Sequence, residues 1–271
     1  MTIRYVEIQV KSIITPSKLP QSTYVINPYM GCSHACRYCY AKFMKRFSNH
    51  VEAWGDFVDI KINALDVMPK NQQKYENQSI TIGSVTDPYQ PIEARYELTR
   101  KILMHLQASK AEFYLITKSP LIVRDIDLLK QFTNMTVLLS AGFHDDVTRK
   151  LFEPRTAPID ARLDAAKQLA RHGIKTILFI SPIFPELTDW KNLIERSKDF
   201  CHAFWFENLN LYPSLRNSVF NALGKIDKSL IKNYIDIYSA GNTYWEQVKA
   251  EIEQACQKQR VAYEVCFHSL K

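Results

Sequence analysis

The sequence predicts a parallel α/β fold on three grounds. Short β-rich apolar runs alternate with longer amphipathic runs, the alternation repeats six times, and prolines punctuate the strand ends. Strands are expected at 23–29, 79–85, 112–117, 136–140, 176–180 and 202–209, with helical patterns between them at 41–53, 94–108, 122–132, 162–172 and 190–200. Pro28, Pro88, Pro120, Pro182 and Pro213 fall at or just past strand ends, where a missing N–H does least harm. Six βα units make a six-stranded parallel array, and periodicity leaves open whether it is a doubly wound sheet or a partial barrel. The first residues alternate charged and apolar side chains and read as an early strand. Toward the other end, helices are expected at 228–239 and 244–260 and a last strand at 262–268. The stretch 214–271 is therefore expected to pack as a C-terminal helical and strand extension on the core formed by 1–213.

A chain of 271 residues is long enough to bury a substantial core, and 46% hydrophobic with 23% charged residues is ordinary for a globular protein. No run approaches the roughly 18 uncharged apolar residues of a membrane span. The N-terminus has no apolar segment followed by a small-residue cleavage site, so the chain reads as cytoplasmic. A net charge of +7 suits nucleic acid or another anionic partner, or simply a basic enzyme surface. Lys and Arg are spread along the chain, and the nearest approach to a cluster is Lys42, Lys45 and Arg46. Three of the six cysteines fall within eight residues, a crowding that points to metal binding in a reducing compartment.

That crowding is Asn27-Pro28-Tyr29-Met30-Gly31-Cys32-Ser33-His34-Ala35-Cys36-Arg37-Tyr38-Cys39-Tyr40, between the first strong strand and the first helix. In parallel α/β folds the carboxyl ends of strands are where loops build ligand sites. The spacing is C-x3-C-x2-C. Three thiolates can hold three corners of a cubane and leave the fourth iron open, whereas electron-transfer clusters are usually closed by four cysteines. A structural zinc with His34 as fourth ligand, inert buried cysteines, and a disulfide with one free thiol are the competing readings.

The motif, with an aromatic before its last cysteine, resembles the radical S-adenosylmethionine (radical SAM) superfamily. Cys36-Arg37-Tyr38-Cys39-Tyr40 is similar to its spore photoproduct lyase-like branch, also labelled DNA-repair photolyase-like. Further matches follow in order: Gly83-Ser84-Val85-Thr86-Asp87-Pro88-Tyr89-Gln90-Pro91-Ile92-Glu93, Thr117-Lys118-Ser119, Glu153-Pro154-Arg155 leading to Arg162-Leu163, and Ile180-Ser181-Pro182-Ile183-Phe184-Pro185. The resemblance spans about 24–210. It implies a partial (β/α)6 TIM barrel of the radical SAM type, a [4Fe–4S] cluster on Cys32, Cys36 and Cys39, and S-adenosylmethionine on the open iron. It also implies an external electron donor of the flavodoxin or ferredoxin kind. One electron then cleaves the sulfonium, and a 5′-deoxyadenosyl radical abstracts hydrogen from a substrate.

The same resemblance assigns candidate cofactor contacts. Lys118 would meet the methionine carboxylate, Thr86 and Asp87 the amino group, and Ser140 the cofactor at the end of the fourth strand. Tyr38 would pack near the cofactor, and Tyr38 and Tyr40 match a tyrosine pair implicated in radical transfer. The plainer alternatives are a surface lysine, an Asp-Pro turn and aromatic packing over the cluster. Glu153 and Arg155 are expected to form a buried ion pair rather than bind substrate. Ser84, counted with the cofactor-binding residues, stands where photoproduct lyases carry the cysteine that returns hydrogen. A hydroxyl is a poor hydrogen donor to a carbon radical, which argues against photoproduct repair. Cys201, Cys256 and Cys266 remain as alternative donors or as ordinary buried cysteines. The substrate is then a nucleic acid or nucleotide, or a small molecule or peptide in a biosynthetic pathway. The rival is a catalytically silent, metal-stabilised binding protein.

Overall fold

The computed structural model describes residues 2–268; the first residue and the last three of the expected extension lie outside it. The chain runs through β1 (Arg4–Ile8), β2 (Ile14–Pro16), β3 (Tyr24–Ile26), β4 (Tyr29–Met30), a 3-10 helix (Tyr40–Phe47), β5 (Phe57–Lys61) and β6 (Ser79–Ile82). It continues through α1 (Glu93–Tyr96), α2 (Leu98–Leu106), β7 (Glu112–Thr117), a 3-10 helix (Pro120–Asp125), α3 (Ile126–Leu129), β8 (Met135–Ser140), α4 (Asp146–Phe152) and α5 (Ile159–Arg171). The last part comprises β9 (Lys175–Ile183), α6 (Trp190–Ser197), β10 (Ala203–Asn208), α7 (Pro213–Leu223), α8 (Ser229–Ile237), α9 (Tyr244–Gln259) and β11 (Tyr263–Val265).

The main sheet has the order β11-β10-β9-β8-β7-β6-β3-β2. Every neighbouring pair from β3 to β11 is parallel, and β2 closes one edge antiparallel to β3. The two end strands do not pair with each other, so the sheet curls without closing, as a partial barrel does. The six expected parallel strands are β3, β6, β7, β8, β9 and β10, and the expected last strand, β11, extends the same sheet.

Side chains alternate across a strand, and here the two faces have different tasks. Phe113, Leu115, Val137, Leu139, Leu178, Ile180, Phe204 and Phe206 belong to the buried core. Fully burying such a side chain is worth about 1.5–3 kcal/mol. The intervening Tyr114, Ile116, Leu138, Ser140, Phe179, Ser181, Trp205 and Glu207 face a cavity inside the barrel. α5 packs on β8 and β9, and Val219, Tyr234, Trp245 and Ile252 of α7–α9 join the same core.

Several expectations shift for identifiable reasons. The early strand β1 pairs with β5, a strand the sequence reading did not separate, in a three-stranded sheet β1-β5-β4 outside the barrel. The helix expected at 41–53 is an eight-residue 3-10 helix ended by Ser48, whose hydroxyl bonds the Lys45 carbonyl. The pattern at 94–108 breaks at Glu97, which is left-handed (φ 50°). The buried Glu93 carboxylate accepts from the amides of Thr99 and Arg100, capping α2 from outside its own sequence. Pro213 does not follow a strand end passively; it opens α7 at its first turn, where a proline is pre-organised. Pro182 lies within β9, near a register shift against β10 between Phe206 and Asn208.

Candidate active site at the open rim

The cysteine loop starts from β4, which β5 fixes by antiparallel pairing of Tyr29 with Ile60 and Met30 with Asp59. Its first turn requires glycine. Gly31 has φ +88°, and a Cβ there would stand 2.4 Å from the Phe57 carbonyl oxygen. Ala35, between the first two cysteines, holds a left-handed φ of 55°, a conformation costing about 1–3 kcal/mol outside glycine. Gly55 makes room for it, since a Cβ at 55 would approach the Ala35 Cβ to 2.5 Å. The Arg37 amide bonds the Phe152 carbonyl at 2.8 Å, tying the loop to α4.

Burial pushes the Cys32 thiol up to about 12 and raises Cys36 and Cys39 as well. Left to themselves the three are neutral thiols, and ligation of a cation would remove their protons. Among the described residues no three His, Cys, Asp or Glu side chains close on a single-ion position. His34, the fourth ligand zinc would need, is buried with Nδ1 3.4 Å from Asp87, and burial lowers its pKa. The Trp54 indole N–H is buried without a partner of its own and lies beside Cys39, whose thiolate it favours against the effect of burial. An orphaned donor next to a sulfur suits a cluster, whose sulfurs accept hydrogen bonds.

The loop after β6 clamps the cysteine loop. Thr86 Oγ1 donates to the Gly31 carbonyl at 2.6 Å. Gln90, fully buried, accepts from the Ser33 amide at 2.9 Å and donates to Thr86 Oγ1 at 3.0 Å. Asp87 accepts from the Tyr89 amide, the Thr117 hydroxyl and the Lys118 amide at 2.8, 2.6 and 2.7 Å. Thr86 and Asp87 are thus engaged by the fold itself, and Asp87 ties β6 to β7. Ser84 Oγ accepts from Asn27 Nδ2 at 3.0 Å, and Ser140 Oγ donates to the Ser181 carbonyl at 3.2 Å. Lys118 differs from all of these. Among the described residues its ammonium makes no ion pair or hydrogen bond; it stands 5.8 Å above the Tyr38 ring and faces the cavity. A free cation in a cleft is a ready partner for a carboxylate.

Tyr38 is half-buried, packs edge-on against Phe184 and donates its hydroxyl to Glu153. The expected pairing of Glu153 with Arg155 is not found. Glu153 pairs with Arg162 at 2.5 Å, both fully buried, while Arg155 reaches away to Asp56 at 2.7 Å and the Gly55 carbonyl. Arg162 lies in the first turn of α5, on the side that faces Glu153 and Ser140, and its other terminal nitrogen bonds the Ser140 carbonyl at 3.0 Å. Burial alone would raise the Glu153 carboxyl, but the charges of Arg162 and Lys118 and bonds from Tyr38 and Arg162 outweigh it and hold it to about 2. Tyr40, by contrast, is half exposed at the cavity mouth and bonds the Ser84 carbonyl.

Cys32, Cys36, Cys39, Tyr38, Tyr40, Ser84, Thr86, Asp87, Lys118 and Ser140 all line one cavity of about 390 Å³. Its opposite wall was not visible in the sequence. Glu207 on β10 accepts from Ser181 Oγ at 2.5 Å and pairs with His268 Nε2 at 2.8 Å. The Asn208 side chain accepts from the His268 amide at 2.7 Å, holding that residue beside the rim. Cys266 lines the same wall, whereas Cys201 and Cys256 lie in the packing around α6 and α9. Trp205 and Tyr114, 5.9 Å apart, and Phe179 give the interior its apolar lining. Ser181 lies in a segment that matches the family and Cys266 stands out as a cysteine, but no local signal marks Glu207, Asn208 or His268 or brings the wall together, because their meeting depends on the register of β9, β10 and β11.

The model of the radical SAM superfamily matches residues 26–196. An uncharacterized protein of Methanocaldococcus jannaschii is 35% identical over 98% of both chains. The spore photoproduct lyase of Clostridium acetobutylicum is 24% identical over 183 residues, 65% of this chain and 51% of that one. Among solved structures, spore photoproduct lyase complexed with dinucleoside spore photoproduct superposes with a TM-score of 0.73 at 17% identity, covering 97% of this chain and 82% of the other. SuiB of Streptococcus suis bound to S-adenosylmethionine superposes at 0.53 and 15% identity, covering 90% and 47%. With the partial barrel, the cysteine loop at its open rim and the family match over most of the barrel core, the chain belongs to the radical SAM superfamily.

Proposed function

We propose that the protein is a radical SAM enzyme in which Cys32, Cys36 and Cys39 hold a [4Fe–4S] cluster and Lys118 binds the carboxylate of S-adenosylmethionine. The observation that carries this reading is an unpaired ammonium facing the same cavity as three cysteines of one loop. When both groups are bound, they supply reductive cleavage of the sulfonium and hydrogen abstraction from a substrate. The chain's own residues then have separable tasks. The Gly31 turn and the clamp of Thr86, Gln90 and Asp87 hold the cysteines in place. Tyr38, fixed by Glu153, shapes the pocket below Lys118, while Tyr40 at the mouth is the better placed of the two for radical transfer. Ser140 borders the cofactor side next to the Ser181 carbonyl.

The substrate enters opposite, against Glu207, His268 and Cys266. Solved relatives in this fold carry a dinucleoside photoproduct in one case and a precursor peptide in another. The basic surface favours a nucleic acid or nucleotide here. Ser84, bonded to Asn27, offers no thiol, so spore photoproduct repair is not the proposed reaction. Cys266 is the cysteine outside the cluster loop that lines the cavity. An external flavodoxin- or ferredoxin-like protein supplies the electron. Among the described residues no helix is long and apolar enough to cross a membrane.

The test is anaerobic reconstitution with iron and sulfide, then electron paramagnetic resonance of the reduced protein with and without S-adenosylmethionine. A signal that shifts on adding the cofactor, with 5′-deoxyadenosine accumulating, is the expected result. About one tightly held zinc per chain, or a cluster indifferent to S-adenosylmethionine, sinks the reading in favour of a silent binding protein. Binding of oligonucleotides that weakens steeply with salt separates a nucleic-acid substrate from a small molecule or peptide.

A further inference from the structure

The 3-10 helix Tyr40–Phe47 follows directly from the last cysteine of the loop, with Cys39 as its N-terminal flanking residue. Phe43, Phe47 and, just beyond, Val51 are exposed at 44%, 62% and 87%. Around them stand Lys42, Lys45 and Arg46, and residues 37–51 contain no Asp or Glu. None of the three cations forms an ion pair among the described residues. Lys42 and Lys45 donate to the carbonyls of Arg37 and Val51, and the Arg46 guanidinium lies 5.4 and 4.7 Å from the Phe43 and Phe47 ring centres. Elsewhere Arg4, Arg100, Arg124, Arg155, Arg162 and Arg196 are each paired with carboxylates.

We propose that this face docks an acidic one-electron carrier protein, which passes its electron into the cluster through the Cys39 end of the helix. The inference rests on the cluster reading above and adds the surface that serves it. An exposed apolar centre rimmed by uncompensated charge of one sign is the form of a transient, electrostatically steered interface. At about 2 Å rise per residue, Phe43 lies about 8 Å along the axis from Cys39, so a partner seated on the helix is close to the cluster. A nucleic acid fits less well. It needs cations repeated along a groove that tracks phosphates, whereas these are confined to one eight-residue helix. In the transfer the carrier is oxidised by one electron and the cluster reduced by one; no bond is made or broken and no proton moves.

The test uses the reconstituted protein and the variant Lys45→Glu/Arg46→Glu, with Lys45→Arg/Arg46→Lys as the charge-conserving control. Reduced flavodoxin and, separately, dithionite are mixed with each, and bleaching of the cluster absorbance is followed by stopped flow at low and moderate salt. Binding of oxidised flavodoxin is measured in parallel by titration calorimetry. The expected result is a fall of about tenfold or more in flavodoxin-driven reduction for the charge-reversed variant at low salt, within the range electrostatic steering commands. Its flavodoxin affinity falls with it, the conservative variant keeps the native rate, and dithionite reduces all three alike. Equal flavodoxin rates and affinities in all three overturn the proposal. So does loss of single-stranded oligonucleotide binding in the charge-reversed variant with carrier reduction intact, which would give the face to nucleic acid. A cluster that fails to form at all overturns the cluster reading and this inference together, an outcome distinct from either.

Discussion

The two halves of the barrel rim are built differently. On the side of β3, β6, β7 and β8, side chains are engaged with one another and with the backbone: Thr86 with Gly31, Asp87 with Lys118 and Thr117, Glu153 with Arg162 and Tyr38. On the side of β9, β10 and β11, Ser181, Glu207 and His268 form a lighter array, with Glu207 and His268 partly open to solvent at 29% and 48%. The first arrangement suits fixed cofactors, which demand constant geometry. The second suits a ligand that arrives and leaves.

The largest expected effect breaks the rigid half. Glu153→Ala leaves the Arg162 guanidinium buried without its carboxylate, and removing one member of a buried pair costs about 3–5 kcal/mol. Urea unfolding should register that loss, whereas Glu207→Ala, at a partly exposed pair, should register far less. The same contrast has a pH signature. Glu153 has a folded-state pKa depressed from its ordinary 4.5, so its contribution is fully present above 4.5 and is lost as pH falls through the folded value. Acid titration of stability should show a limb beginning below about pH 4.5 that Glu153→Gln diminishes. An unchanged limb would mean that other carboxylates carry it.

Next in size is Lys118→Ala. A hydrogen bond to a charged group is worth about 1.5–3 kcal/mol, so S-adenosylmethionine affinity should fall about 10- to 100-fold while iron content stays native. Titration of the cluster's electron paramagnetic resonance signal with the cofactor reads this directly. Loss of iron instead would place Lys118 among the supports of the cysteine loop.

The same division explains what the sequence disclosed. Cys32, Cys36 and Cys39 lie in one loop, and the segments around Thr86 and Lys118 directly follow strands, so periodicity put these segments at strand ends and the family resemblance proposed their roles. The six parallel strands were legible because each is short, apolar and followed by a longer amphipathic run. What escaped depends on distance along the chain. The true partner of Glu153 is Arg162 rather than the adjacent Arg155, because α5 turns the former inward and the latter reaches β5's approach at Gly55 and Asp56. β5 itself was hidden, since its pairing with β1 spans more than 50 residues, as Arg4 with Phe57. Ser181 sat in a matched segment, but Glu207 and His268 belong to no motif; only the parallel register of β10 with both neighbours brings the three to one wall.

The smallest effect sharpens the comparison on that wall. The hydrogen bond to Glu207, aided by its charge, raises the His268 pKa above its ordinary 6.5, while partial burial opposes it. Glu207→Gln should bring His268 back toward 6.5, followed by the imidazole proton shifts in an NMR titration. His268 gains its partner in the folded state, so the pair's contribution is fully present below pH 6.5 and is lost as pH rises through the elevated value. Stability in the native protein should thus decline slightly on the alkaline side, opposite in sign to the acid limb of Glu153. A His268 that titrates identically in both proteins would mean that Glu207 is free of it in solution. The carboxylate would then face the cavity with Ser181 alone, poised for a hydrogen-bond donor on the substrate rather than held by the chain.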